Sequence, residues 1–177
     1  MSGEEESLTQ AAVKKLPEKR SHSNWRLAAF FIIAVTILVL DQLSKNLVLA
    51  AFSLNESISI IPGFFNLTYV RNTGAAFGIL AGQESWRHLF FQSVSILALG
   101  AIVYLFWASR RDRLALWGSA LVFGGAAGNL VDRIRFGYVI DFLDFFIGRY
   151  HWPAFNIADS GITIGAFLLA VKFLKEK

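Results

Sequence analysis

The sequence contains no cysteine. This absence excludes disulfides, thiolate metal ligands, a cysteine nucleophile and lipidation of the chain itself on cysteine. Charge is also scarce, since charged residues make up 17% of the 177 residues against roughly 25% in an ordinary globular domain. Hydrophobic residues make up 55% and the mean hydropathy is +0.50. So few charges cannot cover a water-facing surface, and the composition predicts that lipid covers part of the chain.

Recognisable metal and phosphate motifs are missing as well. The three histidines, His22, His88 and His151, are scattered and lack the spacing of a zinc peptidase. Ser44 and Lys45 are adjacent rather than spaced for a serine–lysine dyad, and no glycine-rich phosphate loop is present. The sequence therefore predicts neither a metal nor another cofactor.

The net charge of +4 would suggest nucleic acid as a partner if the chain were water-soluble. Here the basic residues flank apolar runs, where they set membrane orientation, so we expect no nucleic-acid partner. With the N-terminus inside, one side of the membrane holds eleven of the 17 Lys and Arg residues and the other holds six. This asymmetry predicts that both termini are cytoplasmic.

Four apolar segments are each close to the roughly 20 residues that cross a bilayer. They cover residues 25–40, 86–107, 114–131 and 155–174. Residues 1–24 are polar, carry both signs of charge and are predicted to form a disordered cytoplasmic tail. Residues 25–177 are then one four-helix membrane domain.

The two outer connections differ in pattern. In residues 46–85, apolar Ile58, Ile60, Phe65, Leu67 and Tyr69 alternate with polar residues around a Pro-Gly turn. This period of two predicts a small β-sheet at the membrane surface. Residues 132–153 mix aromatic and acidic side chains and are predicted to be a loop. The fold class is therefore a membrane all-α core of four transmembrane helices with a small extracytoplasmic sheet.

Five aspartates at helix ends or in the connection between the last two helices are all predicted to lie toward the outer side. Asp41 and Asp132 are predicted to end the first and third helices, and Asp159 to lie one turn inside the fourth. Asp141 and Asp144 fall in the second outer loop. Ionisable residues are costly in a membrane, so a functional role is the first hypothesis. Two carboxylates that share one proton can activate a water for attack on a peptide carbonyl, which favours Asp141 with Asp159 as a catalytic pair.

Structural alternatives exist for both acids. Asn156 can cap the fourth helix while Asp159 offsets the helix dipole at its N-terminus. Asp141 taken alone resembles a solvated loop carboxylate.

Three further motifs have both structural and functional interpretations. Asn129, Asp132 and Arg133 share one helix face, and Asp132 with Arg133 suggests a local ion pair. Asp41 and Lys45 are four residues apart, which suits an ion pair with a lysine that extends to the membrane interface. The segment 72–74 is either a simple turn or a stretch near the substrate in which Asn72 donates a hydrogen bond.

Together these segments resemble the lipoprotein signal peptidases, also called type II or prolipoprotein signal peptidases. The matching segments are Asp41-Gln42-Leu43-Ser44-Lys45, Asn72-Thr73-Gly74-Ala75-Ala76-Phe77, Gly128-Asn129-Leu130-Val131-Asp132-Arg133, Val139-Ile140-Asp141-Phe142 and Phe155-Asn156-Ile157-Ala158-Asp159. The resemblance implies an aspartic endopeptidase that removes the signal peptide of diacylglyceryl-modified prolipoproteins before the lipidated cysteine, without a metal. It implies that Asp141 and Asp159 are catalytic. The residues implied to line or support the site are Asp41, Lys45, Asn72, Gly74, Asn129, Asp132, Arg133 and Asn156.

The same resemblance implies a place and partners. The expected location is the bacterial cytoplasmic (inner) membrane, with the active site toward the periplasm. Expected partners are prolipoproteins, membrane lipid and inhibitory cyclic peptides of the globomycin type, and we expect a monomer. Two other classes remain open, a proton-coupled transporter with buried acidic residues and a non-catalytic membrane scaffold.

Overall fold

The computed structural model of the chain describes residues 21–74 and 84–175. The elements in chain order are α1 (Ser21–Ala51), β1 (Ser57–Ile61), β2 (Phe65–Asn72), α2 (Glu84–Ser109), α3 (Arg113–Phe136), β3 (Val139–Ile147), β4 (Tyr150–His151) and α4 (Ile157–Lys175). The first 20 residues of the predicted tail lie outside the described part, and residues 21–24 belong to α1 rather than to a tail.

Four helices are long and apolar enough to span a membrane, which confirms the predicted number. Two predicted ends are wrong. α1 continues ten residues past Asp41 to Ala51, and α3 continues four residues past Asp132 to Phe136. Both extensions are more polar than the preceding turns, so hydropathy alone hides them. Asp41 and Asp132 therefore lie within helices, where their side chains can meet groups on neighbouring helices.

α3 is the central helix and packs against α1, α2 and α4. Glycine makes this close packing possible. A Cβ atom at Gly125 would collide with the carbonyl oxygen of Ala158 on α4, and one at Gly128 would lie 2.5 Å from Asp41 Oδ2 on α1. Small residues let membrane helices approach closely, and here they bring three helices into contact at the level of the acidic residues.

The strands form one four-stranded antiparallel sheet in the order β1-β2-β3-β4. β1 and β2 form the predicted hairpin. The predicted loop that follows α3 is wrong, because residues 139–147 form β3, the longest strand, and contain Asp141 and Asp144. The first four residues of β3 are buried, so apolar side chains occupy both of its faces and the alternation typical of a half-exposed strand is lost.

The segment before α4 is hydrogen-bonded to β3. Phe142 and Leu143 both donate their backbone N–H to the Phe155 carbonyl, at 3.0 and 2.8 Å, and Phe155 N–H donates back to Leu143 at 3.1 Å. Because α4 begins two residues later, this pairing brings the first turn of α4 next to Asp141.

Candidate active site

Asp141 is held in the sheet, opposite Val70 of β2, and is 1% exposed. Its Oδ2 accepts a hydrogen bond from Asn72 Nδ2 at 2.9 Å, and its Oδ1 accepts one from Asn156 Nδ2 at 2.7 Å. Burial, with a smaller contribution from the negative charge of Asp159, raises the pKa of Asp141 to about 7 against the lowering effect of the two amides. It is therefore not the solvated loop carboxylate of the alternative interpretation.

Asp159 is half-buried in the first turn of α4 and has two roles at once. Its backbone N–H donates to Asn156 Oδ1 at 2.8 Å, and its Oδ2 accepts from the Asn156 N–H at 3.3 Å. This reciprocal pair is a capping box, as the structural alternative expected. Asp159 Oδ1 is left to accept from Asn129 Nδ2 at 2.8 Å, so capping does not remove the carboxylate from the site.

Asn156 joins the two carboxylates. It is fully buried, its side-chain amide donates to Asp141, and its backbone donates to Asp159. One buried carboxylate with a pKa near 7 and one half-exposed carboxylate thus contact the same residue. Such a pair can donate a proton from one member and accept a proton with the other.

A buried ion triad lies behind this pair. Lys45 Nζ is 2.8 Å from Asp41 Oδ2 and 2.8 Å from Asp132 Oδ2, and all three side chains are at most 1% exposed. The predicted Asp41–Lys45 ion pair is present. The prediction that Lys45 extends to the membrane interface is wrong, because its side chain is buried among the two carboxylates. The local Asp132–Arg133 ion pair was also wrong, because the ion-pair partner of Asp132 in the described structure is Lys45.

Both carboxylates of the triad also accept hydrogen bonds from backbone N–H groups. Asp132 Oδ2 accepts the N–H of Ile140 at 3.1 Å, and Asp41 Oδ1 accepts the N–H of Ala158 at 2.9 Å. Lys45 also donates to Asn129 Oδ1 at 3.0 Å, which leaves the nitrogen of that amide for Asp159. The triad is therefore connected to the residue before Asp141, to the residue before Asp159 and to the Asp159 side chain.

Arg133 extends away from the triad toward α2. One guanidinium nitrogen lies 3.4 Å from Ser95 Oγ and 3.4 Å from the Asn129 carbonyl, and the group sits over the Phe91 ring at 5.8 Å. A small pocket opens here next to Asn72, the residue that donates to Asp141. It is lined by Asn72, Thr73, His88, Phe91, Arg133, Gly137 and Tyr138.

The turn after β2 orients Asn72. Gly74 N–H donates to Asn72 Oδ1 at 2.9 Å, so the amide nitrogen of Asn72 is directed to Asp141. Gly74 has φ +74°, and a Cβ atom there would lie 2.7 Å from the Phe91 ring. The predicted turn is present and Asn72 is a hydrogen-bond donor, to Asp141, while its place near the substrate stays a prediction. Ala75, Ala76 and Phe77 lie outside the described residues.

All ten residues singled out in the sequence lie in or beside this network, and one contributor was given no role. Gln42 Nε2 donates to Asp132 Oδ1 at 2.9 Å and lies 3.2 Å from both Asp41 Oδ2 and the Gly128 carbonyl. Its position inside the Asp41–Lys45 motif was the only available signal. Within the described residues, 21–74 and 84–175, there is no group of three or more His, Asp or Glu side chains that could hold a metal ion.

Fold and site define a polytopic membrane protein with two carboxylates held in one polar site. Residues 33–175 match the family described as signal peptidase (SPase) II. The chain is 53% identical to the lipoprotein signal peptidase of Syntrophus aciditrophicus, covering 85% of this chain and 95% of that protein. It is 50% identical to that of Geobacter sulfurreducens, covering 84% and 92%. This chain belongs to the signal peptidase II family, which confirms the predicted resemblance and the aspartic protease class.

Solved structures agree with this assignment. A bacterial membrane enzyme determined by the in meso method at 1.9 Å is 38% identical, with a TM-score of 0.76, and the match covers 85% of this chain and 95% of that one. A second such structure at 2.3 Å has a TM-score of 0.74. The predicted fold class is therefore confirmed.

Proposed function

We propose that this chain cleaves the signal peptide from diacylglyceryl-modified prolipoproteins, before the lipidated cysteine, with Asp141 and Asp159 as its catalytic pair. Family membership and relatives named lipoprotein signal peptidase support the reaction. The observation that carries the assignment of the residues is the contact of both carboxylates with Asn156. A residue shared in this way keeps the two acids within reach of one peptide bond.

The two carboxylates have different roles in the proposed mechanism. Asp159, half-exposed, takes a proton from a water whose oxygen attacks the scissile carbonyl carbon. Asp141, protonated because burial raises its pKa to about 7, donates its proton to the carbonyl oxygen. Collapse of the resulting diol breaks the C–N bond, the leaving nitrogen takes the proton held by Asp159, and Asp141 recovers its own from the diol. No step requires a metal or another cofactor.

The proposed location is the bacterial inner membrane, with both termini cytoplasmic and the site toward the periplasm. A substrate with two acyl chains leaves a bilayer only at about 0.8 kcal/mol per CH₂ group, so the enzyme must meet it in membrane lipid. The chain supplies both carboxylates itself, which suits a monomer. Globomycin-type cyclic peptides would inhibit by occupying the same site.

The transporter alternative is less well supported. The acidic residues of the four spans are Asp41, Asp132 and Asp159, and all three belong to one hydrogen-bonded network. A proton path needs further acids toward the opposite end of the helices, and the spans contain none.

The test is incubation of purified protein in detergent with a diacylglyceryl-modified precursor. We expect cleavage before the modified cysteine, inhibition by globomycin, and no cleavage of the same precursor with serine at that cysteine. A protein that folds but leaves the lipidated precursor intact would contradict the proposal.

A further inference from the structure

We propose that Lys45 is a positioning residue that sets the separation of the two catalytic carboxylates without touching the substrate. This inference rests on the proposed function and extends it to a residue that is 1% exposed. The Lys45 ammonium contacts Asp41, Asp132 and Asn129, and each of these is hydrogen-bonded either to a catalytic residue or to the residue that precedes one.

Two of these connections run through backbone. Asp132 binds the N–H of Ile140, which directly precedes Asp141, and Asp41 binds the N–H of Ala158, which directly precedes Asp159. Lys45 holds the two carboxylates 2.8 Å from the same nitrogen atom. The strand that carries one catalytic residue and the helix that carries the other are therefore tied to a single point on α1.

The third connection runs through an amide. An ammonium group has donors only, so Lys45 must face the oxygen of Asn129, as it does at 3.0 Å. Asn156 Nδ2 also lies 3.2 Å from that oxygen. The nitrogen of Asn129 is then turned toward Asp159 Oδ1, where it donates at 2.8 Å. Lys45 thus helps to direct the Asn129 N–H donor at Asp159 Oδ1.

The simpler explanation is that Lys45 only neutralises two buried acids. A triple variant distinguishes the two. Lys45→Met, Asp41→Asn and Asp132→Asn together remove every charge of the triad, while the asparagine oxygens can still accept the two backbone N–H groups. If neutralisation is the whole role, this variant should turn over like the wild type. Positioning predicts a turnover number lower by about 100-fold, the typical cost of a misplacement of about 1 Å, with KM changed less than threefold.

Asn129→Asp tests the amide separately. Charged and titratable groups surround Asn129 and Asp159. They come from α1, α3 and β3, together with one imidazole of α2 on the neighbouring pocket. They are Lys45, Asp41, Asp132, Arg133, Asp141 and His88. A carboxylate at 129 keeps the Lys45 contact but opposes Asp159 oxygen to oxygen. We expect turnover relative to wild type to fall about 100-fold at pH 8 and to recover at least tenfold at pH 5, where a proton can bridge the two oxygens.

Lys172→Met is the matched control, because Lys172 is also a buried helical lysine, 6% exposed, and contacts Ser109 on α2 rather than the acid pair. It should cleave the lipidated precursor at the wild-type rate. Folding of every variant is checked by thermal unfolding in detergent. A folded triple variant with wild-type turnover, or an Asn129→Asp ratio that does not change with pH, would overturn the positioning role. Absence of cleavage by the wild-type protein would instead refute the proposed function.

Discussion

Asn156 and Asp159 cap each other: the Asp159 N–H donates to Asn156 Oδ1 at 2.8 Å, and Asp159 Oδ2 accepts the Asn156 N–H at 3.3 Å. The contact that begins α4 is therefore also the contact that presents a carboxylate to the site. A substitution at either residue changes helix and site together, so variants must be compared at equal folding.

The acid pair is tested by Asp141→Asn and Asp159→Asn. Asparagine has nearly the same shape but keeps only one of the two acceptor oxygens that each carboxylate uses, and it can neither take the water's proton nor return one. We expect each variant to lose about 10²–10⁴-fold in turnover, and the double variant to be little worse, because groups acting as a unit are not additive. The measurement is turnover of lipidated precursor by folded protein.

Asp144→Asn is the control for charge in the same strand. Asp144 is three residues from Asp141, so it points to the opposite face of β3, where it contacts Asn66 at 3.0 Å and His151 at 2.8 Å. Its asparagine variant should retain most activity. Robust cleavage by folded Asp141→Asn or Asp159→Asn would end the hypothesis of a catalytic pair.

The pH dependence follows from the raised pKa of Asp141. Because its pKa is about 7 in the folded protein against an ordinary 3.8, the carboxyl favours folding when protonated. The stability it contributes is complete below pH 3.8 and is lost as pH rises through about 7. We expect kcat/KM to fall as the pH rises through about 7, since ionised Asp141 cannot donate a proton.

Thermal unfolding in detergent between pH 5 and 8 measures this effect. Wild type should lose stability across that range, and Asp141→Asn should lose less because residue 141 no longer titrates. Identical slopes for the two proteins would show that Asp141 is not protonated in the folded state.

Gly128→Ala tests the close approach of α3 and α1. The new Cβ atom would lie 2.5 Å from Asp41 Oδ2, whereas Gly100→Ala in α2 adds a Cβ atom with nothing within 4 Å. Overpacking of a tight contact costs about 1–3 kcal/mol, so Gly128→Ala should unfold at a lower temperature and lose activity. Gly100→Ala should behave like wild type. Equal melting temperatures would mean that the helices can separate at little cost.

Topology is tested with single cysteines, because the chain has none of its own. Ser57→Cys places a thiol on the exposed edge strand β1, and Arg111→Cys places one in the exposed turn between α2 and α3. In intact cells, an impermeant maleimide applied outside the inner membrane should label residue 57 but not residue 111. The reverse pattern would refute the predicted orientation.

The metal-independent mechanism predicts that strong chelators leave turnover unchanged. Purified protein is dialysed against EDTA and assayed with the lipidated precursor. The matched assay adds zinc back. Loss of cleavage with EDTA and recovery with zinc would contradict an aspartic mechanism.

Several features of this protein were determined by the sequence alone, because they depend on neighbours in the chain. Hydropathy over about 20 residues identifies the four spans, and alternation around a Pro-Gly turn identifies the β1–β2 hairpin. The capping of α4 by Asn156 and Asp159 also lies within one turn. Five short motifs identified the family by resemblance, and the match of residues 33–175 to the signal peptidase II family confirms it.

Only the tertiary structure decided which partner each buried charge has. Lys45 meets Asn129 from 84 residues away, and Asn72 meets Asp141 from 69 residues away, so no local pattern reports either contact. Local spacing suggested Arg133 as the partner of Asp132, yet the fold brings Lys45 there instead. β3 was missed because apolar residues occupy both of its faces, so its sequence lacks the alternation of a half-exposed strand. A desolvated charge requires a partner, but the helix packing determines which residue provides it.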